Sequence, residues 1–75
     1  MIRYKNLEGG SGVTAYEPDT ESIAVEFGHD AVYLYTYSSA GKAIINRMKK
    51  LAAKGRGLST YISQKVKDKY ERKLK

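Results

Sequence analysis

Cysteine and tryptophan are absent from this 75-residue chain, and histidine, proline and phenylalanine occur once each. Without cysteine there is no disulfide staple, no thiolate nucleophile and no zinc site of the cysteine type. Long apolar runs are missing too. Nothing approaches the ~20 residues of a membrane span, and Met1–Asn6 has no apolar stretch of signal-peptide length. A cytoplasmic location with no membrane partner is the expectation. The one histidine, His29, falls in a turn between two strand-like segments, with no second histidine to share a metal. Glu17, Asp19 and Glu21 crowd another turn without the spacing of a calcium loop. Gly9-Gly10-Ser11-Gly12 lacks the following Lys-Ser/Thr of a phosphate loop. These absences point to a domain that is not an enzyme and that needs no metal or cofactor.

Positive charge is plentiful, and unevenly placed. The chain has 14 Lys+Arg against 8 Asp+Glu, a net +6. Residues 1–38 hold two cations and six carboxylates, a net of −4, whereas residues 39–75 hold 12 cations and two carboxylates, a net of +10. Such asymmetry between halves suits a polyanionic partner. The plain alternative is that lysine-rich helices are soluble helices, since Lys and Arg are good helix formers.

Along the chain, Ile2 and Tyr4 alternate with Arg3 and Lys5. Residues 1–12 are therefore an arm or an edge strand ending in a glycine-rich linker, ahead of a single domain over 13–75. Val13–Glu17 reads as a strand, and Glu17–Ser22 as a turn built on Pro18. Ile23-Ala24-Val25-Glu26-Phe27 alternates strictly. Gly28-His29-Asp30 turns the chain, and Ala31–Tyr37 is a third strand rich in Val and Tyr. Ser38-Ser39 can cap a helix carrying Ile44, Met48, Leu51 and Ala52 at helical spacing, stopped by Gly55 in a left-handed C-cap. Ser59 or Thr60 can cap a second helix with Leu58, Ile62, Val66, Tyr70 and Leu74 four apart. A four-residue step turns the stripe ~40° further each time, so residues 70–75 are expected to project as a cationic tail. The fold class is thus α+β: a three-stranded antiparallel β-meander followed by two α-helices on one sheet face.

Seven tyrosines are present. Tyr33, Tyr35 and Tyr37 share one face of the third strand, with Val32 and Leu34 on the other. If the aliphatic face meets the helices, the tyrosines form an open platform on which single-stranded bases can stack. If the tyrosines face inward, they are large core fillers with hydroxyls at the rim.

Tyr16-Glu17-Pro18, Ile23–Phe27, Val32-Tyr33-Leu34-Tyr35 and Lys54-Gly55-Arg56 with Leu58 and Ile62 resemble the KTSC domain, found at the C-terminus of some lysyl-tRNA synthetases and as small stand-alone bacterial proteins. The likeness covers about residues 11–66. Tyr33 and Tyr35 match its tyrosine-any-tyrosine hallmark, and Lys54 and Gly55 match the end of its Ser-Lys-Gly stretch, where Ala53 replaces the serine. The family usually has Val-Pro after the tyrosine pair, where this chain has Tyr37-Ser38-Ser39-Ala40. The family has no established activity. The synthetase association implies RNA binding, and the free middle position implies that Tyr33 and Tyr35 point inward.

Two functional classes follow. One is an RNA- or DNA-binding module contacting phosphates through Lys49, Lys50, Lys54, Arg56, Lys65, Lys69, Arg72 and Lys73, with Gly55 and Gly57 letting the backbone approach beside Arg56. The other is a protein-interaction or accessory module using the uncovered sheet face.

Overall fold

The computed structural model describes residues 1–75. Four strands come first: β1 (Ile2–Arg3), β2 (Val13–Pro18), β3 (Ser22–Phe27) and β4 (Ala31–Thr36). A helical layer follows: α1 (Tyr37–Ala40), α2 (Lys42–Lys54), α3 (Leu58–Tyr61) and a π-helical turn at Ile62–Val66. The last strand is β5 (Arg72–Lys73). The sheet is antiparallel throughout in the order β1-β2-β3-β4-β5. The α+β class is as expected, but five strands replace three, and the second helix is short.

Strand alternation sorts the sheet into two faces. Tyr16, Val25 and Tyr33 lie in one row and Ile23 pairs with Tyr35 in the next. These residues face the helices, where Ile45, Met48, Leu51, Ala52, Leu58, Ile62 and Val66 close the core against them. The tyrosines of β4 are therefore core material, and no open tyrosine platform exists. Ala15, Ala24, Val32 and Leu34 occupy the opposite face, away from the helical layer. Residues 1–12 contribute an edge strand: Ile2 pairs with Tyr16 and Arg3 with Ala15, and Tyr4 is buried to 4% exposure.

The helical half departs from the sequence reading at four points. The N-cap is Thr36, not Ser38 or Ser39. Its hydroxyl accepts from the Ser39 amide at 3.0 Å, and Ser39 Oγ accepts from the Thr36 amide at 3.0 Å, a reciprocal capping box. Gly41, at φ 95°, then breaks the chain between α1 and α2, a conformation that favours glycine. The expected helix over 59–74 runs only to Val66. Its π-helical turn rotates less per residue than the ~100° of an α-helix, which cancels the drift of the four-residue stripe. Leu58, Ile62 and Val66 consequently all reach the core, at 0%, 7% and 0% exposure.

The fourth departure is the C-terminal segment. Lys67 takes φ 53° and ψ −122°, and Val66 C=O accepts from the Lys69 amide at 3.1 Å. That is the first central position of a type II′ turn, and it sends the chain back to the sheet. The projecting helical tail expected from the sequence does not form. Glu71 N–H donates to Leu34 C=O at 2.7 Å, Lys73 pairs with Tyr33, and Arg72 pairs with Leu34. The drifting stripe ends because the helix ends: Tyr70 and Leu74 belong to the returning sheet segment, not to further helical turns.

Candidate nucleic-acid interface

The cationic residues divide by the element that carries them. On α2 the buried positions Ile45, Met48, Leu51 and Ala52 fix the inward direction. Arg47, Lys50 and Lys54, at i, i+3 and i+7, then share the outer side, and all three are exposed. They span ~10 Å along the helix axis. Arg56 follows immediately, exposed, beyond the C-cap. Gly55 has φ 79°, and its N–H donates to Leu51 C=O at 3.0 Å and Ala52 C=O at 3.1 Å. This left-handed cap is as expected from the sequence, and Arg56 beyond it lies beside Glu8 at 3.9 Å. Arg47 also borders a shallow groove of about 370 Å³ between α2 and α3, together with Tyr61 and Gln64.

The N-terminal segment holds this corner in place. Leu7 N–H donates to Gly55 C=O at 2.7 Å, and Leu58 N–H donates to the Tyr4 hydroxyl at 3.3 Å. Lys5 lies so close to Gly55 that a Cβ there would meet the Lys5 Cβ at 2.5 Å. Glycine is needed at 55 for the close approach as well as for the backbone angle.

Not every candidate cation is free. Lys49 Nζ donates to the Asp19 carbonyl and, at 3.0 Å, to the Thr20 carbonyl, and it lies 5.8 Å from the Tyr37 ring centroid. It ties α2 to the β2–β3 turn. Arg72 is exposed beside Leu34 on the sheet face away from the helices, so it stands apart from the α2 stripe. Lys73 lies on the helix side with its ammonium 5.8 Å from the Tyr33 ring centroid. Lys65 and Lys69 are exposed, the first in the π-helical turn and the second after the reversal. The geometry thus sets the α2 stripe of Arg47, Lys50 and Lys54, with Arg56 two residues past the helix end, apart from the others. Sequence reasoning misses Arg47, although its i, i+3, i+7 relation to Lys50 and Lys54 is there to be read.

Carboxylates hardly touch these cations. The ion pairs are Met1 amino–Glu17 at 3.3 Å, His29–Glu26 at 3.7 Å and Arg56–Glu8 at 3.9 Å. Of the 12 cations in residues 39–75, only Arg56 has an acidic partner, and a pair that exposed is worth little. Among titratable groups, Tyr35 is the one moved clearly. Burial, then the neighbouring Tyr33 and Tyr70 hydroxyls, push it from 10.0 up to about 12. His29 sits in the exposed β3–β4 turn at φ 61°, and no cluster of three His, Asp or Glu side chains is placed to hold a metal ion. No helix is long and apolar enough to cross a membrane.

Searches against protein families, curated proteins and solved structures found no match to this chain.

Proposed function

We propose that this chain is a small non-catalytic domain that binds RNA or another nucleic acid through the outer side of α2. The observation that carries this reading is the unpaired charge: 11 of the 12 cations in residues 39–75 have no carboxylate partner. A soluble helix has no need to leave its lysines unbalanced in this way, whereas a phosphate backbone supplies the missing anions. Arg47, Lys50, Lys54 and Arg56 form the contact group, and Arg56 can meet a phosphate through two parallel hydrogen bonds. Recognition is of the backbone, so it is largely indifferent to sequence and steeply weakened by salt.

The likeness to KTSC domains belongs to the same proposal. Tyr33 and Tyr35 lie under the helical layer and Gly55 ends α2, so the matched positions have architectural places, and the nucleic-acid reading rests on the cations. Ala53, where the family has serine, is exposed on the last turn of α2.

The test is a fluorescence titration of mixed-sequence RNA at several salt concentrations. Wild type is expected to bind with a clear salt slope. Changing Arg47, Lys50 and Lys54 together to Gln is expected to reduce that slope by about 2, at ~0.7 for each single-strand phosphate that is no longer neutralised. Absence of binding at all concentrations below millimolar overturns the proposal.

A protein-interaction role draws on a different observation. On the sheet face away from the helices Ala15 and Leu34 are half-buried, beside buried Ala24 and Val32. Under that reading Leu34→Ser removes a protein partner in a pull-down while RNA binding is unchanged.

A further inference from the structure

Behind Arg56 lies a small polar cavity of about 120 Å³, between the glycine loop 9–11 and the start of α3. Tyr4, Glu8, Ser11, Arg56, Ser59 and Thr60 are among its walls. Tyr4 is the only hydrophobic residue there. Its ring is buried to 4% exposure, and its hydroxyl accepts from Leu58 N–H at 3.3 Å. The hydrogen of that hydroxyl meets no acceptor within the chain. A buried hydroxyl whose donor is unused lacks a favourable interaction that a ligand can supply. The hydroxyls of Ser59 and Thr60 likewise make no hydrogen bond within the chain. Arg56 adds a permanent positive charge at the same wall. The cavity is therefore rich in donors and has one carboxylate, Glu8, whose contact with Arg56 is loose at 3.9 Å.

We propose that this cavity binds a single phosphate group, with Tyr4, Ser59, Thr60 and Arg56 as its donors and Glu8 as the internal anion it displaces. At about 120 Å³ the cavity is well below the ~300–1,000 Å³ of pockets that enclose a drug-sized ligand, a size that suits a single tetrahedral oxyanion. The phosphate is either a free ion or the end of a larger molecule whose remainder stays outside. The site adjoins the α2 stripe: it shares Arg56 with it, and its Glu8 and Thr60 also line the groove that Arg47 borders, while Lys50 and Lys54 line neither.

The experiment is a titration of the folded full chain with inorganic phosphate, followed by amide chemical shifts at constant ionic strength. Saturable shifts at Gly10, Ser59 and Thr60 are expected, with Lys50 and Lys54 unmoved. Tyr4→Phe leaves the net charge unchanged and is expected to weaken phosphate about tenfold, the loss of one hydrogen bond to a charged acceptor. Thr60→Val is expected to weaken it too, and serves if Tyr4→Phe does not fold. Glu8→Gln is expected to tighten binding about two- to fivefold, by removing a weak competing ion pair. Shifts that rise without saturation and spread over the lysines overturn the proposal. So does unchanged affinity in the folded Tyr4 or Thr60 variant. Comparing 5′-phosphorylated with 5′-hydroxyl oligonucleotides separates the sources: tighter binding of the phosphorylated form assigns the site to a nucleic-acid end, and equal binding assigns it to small phosphates. Changing Lys50 and Lys54 alone to Gln, which leaves Arg47 and Arg56 in place, is expected to weaken RNA binding and keep the phosphate site, so failure of either proposal leaves the other standing.

Discussion

Tyr35 sits where the sheet, the helical layer and the returning C-terminal strand meet. It is 2% exposed, and the Tyr70 ring stands edge-on to it with centroids 6.1 Å apart. Because burial raises its pKa to about 12, the folded protein holds its proton after an unfolded chain has begun to lose it. The unfolded state then binds fewer protons, so stability falls as pH rises. The contribution is fully present below pH 10.0 and is lost as pH climbs through about 12. Tyr35→Phe is expected to flatten that alkaline decline in urea-unfolding midpoints measured from pH 9 upward. Alternation alone leaves both faces of β4 open as the inward one. The choice is made by Ile23 and Val25, which pair with Tyr35 and Tyr33 and share one buried cluster with Met48 and Ile45.

At the level of elements, readable segments are those whose residues share a period. Ile23, Val25 and Phe27 declare a strand, and Met48, Leu51 and Ala52 followed by Gly55 declare a helix with its end. The missed elements lack such a signal. β5 is two residues long, too short to show a period. The reversal at Lys67 carries neither glycine nor proline, so the helical spacing of Val66, Tyr70 and Leu74 runs through it unmarked. That reversal holds a lysine where glycine is preferred. Lys67→Gly is expected to stabilise the protein by up to ~1 kcal/mol, read from chemical denaturation. A continuous helix there would instead lose about that much. The candidate interface is legible to a similar degree. Lys50, Lys54 and Arg56 stand out as charge, but the engagement of Lys49 depends on carbonyls 29 and 30 residues away in the chain, which no local pattern encodes.

For the molecule as a whole, the C-terminal strand acts as a closure. Tyr70 packs on Tyr33 at 4.6 Å between centroids, and Thr36 Oγ1 donates to Glu71 Oε1 at 3.0 Å. Removing residues 68–75 is expected to cost roughly 2–4 kcal/mol, from two aromatic contacts and a few hydrogen bonds. It also bares the edge of β4, an invitation to strand pairing between copies. Denaturation and light scattering on the shortened chain measure the two effects. Unchanged stability with no association is the outcome expected only of a free tail.

Register adds a mechanical consequence. Ile2, Tyr16, Val25, Tyr33 and Lys73 form one continuous row across all five strands. The chain thus enters the sheet at one end of this row, and its last strand lies at the other, ~19 Å away at ~4.8 Å per strand. A pull applied through the two ends acts along that row, parallel to the hydrogen bonds that join the strands. Each ladder is then opened rung by rung, as a zipper, and no set of bonds shares the load in shear. Stretched by its ends, the domain yields from its two-residue outer strands inward, and its resistance to tension is small whatever its stability at rest.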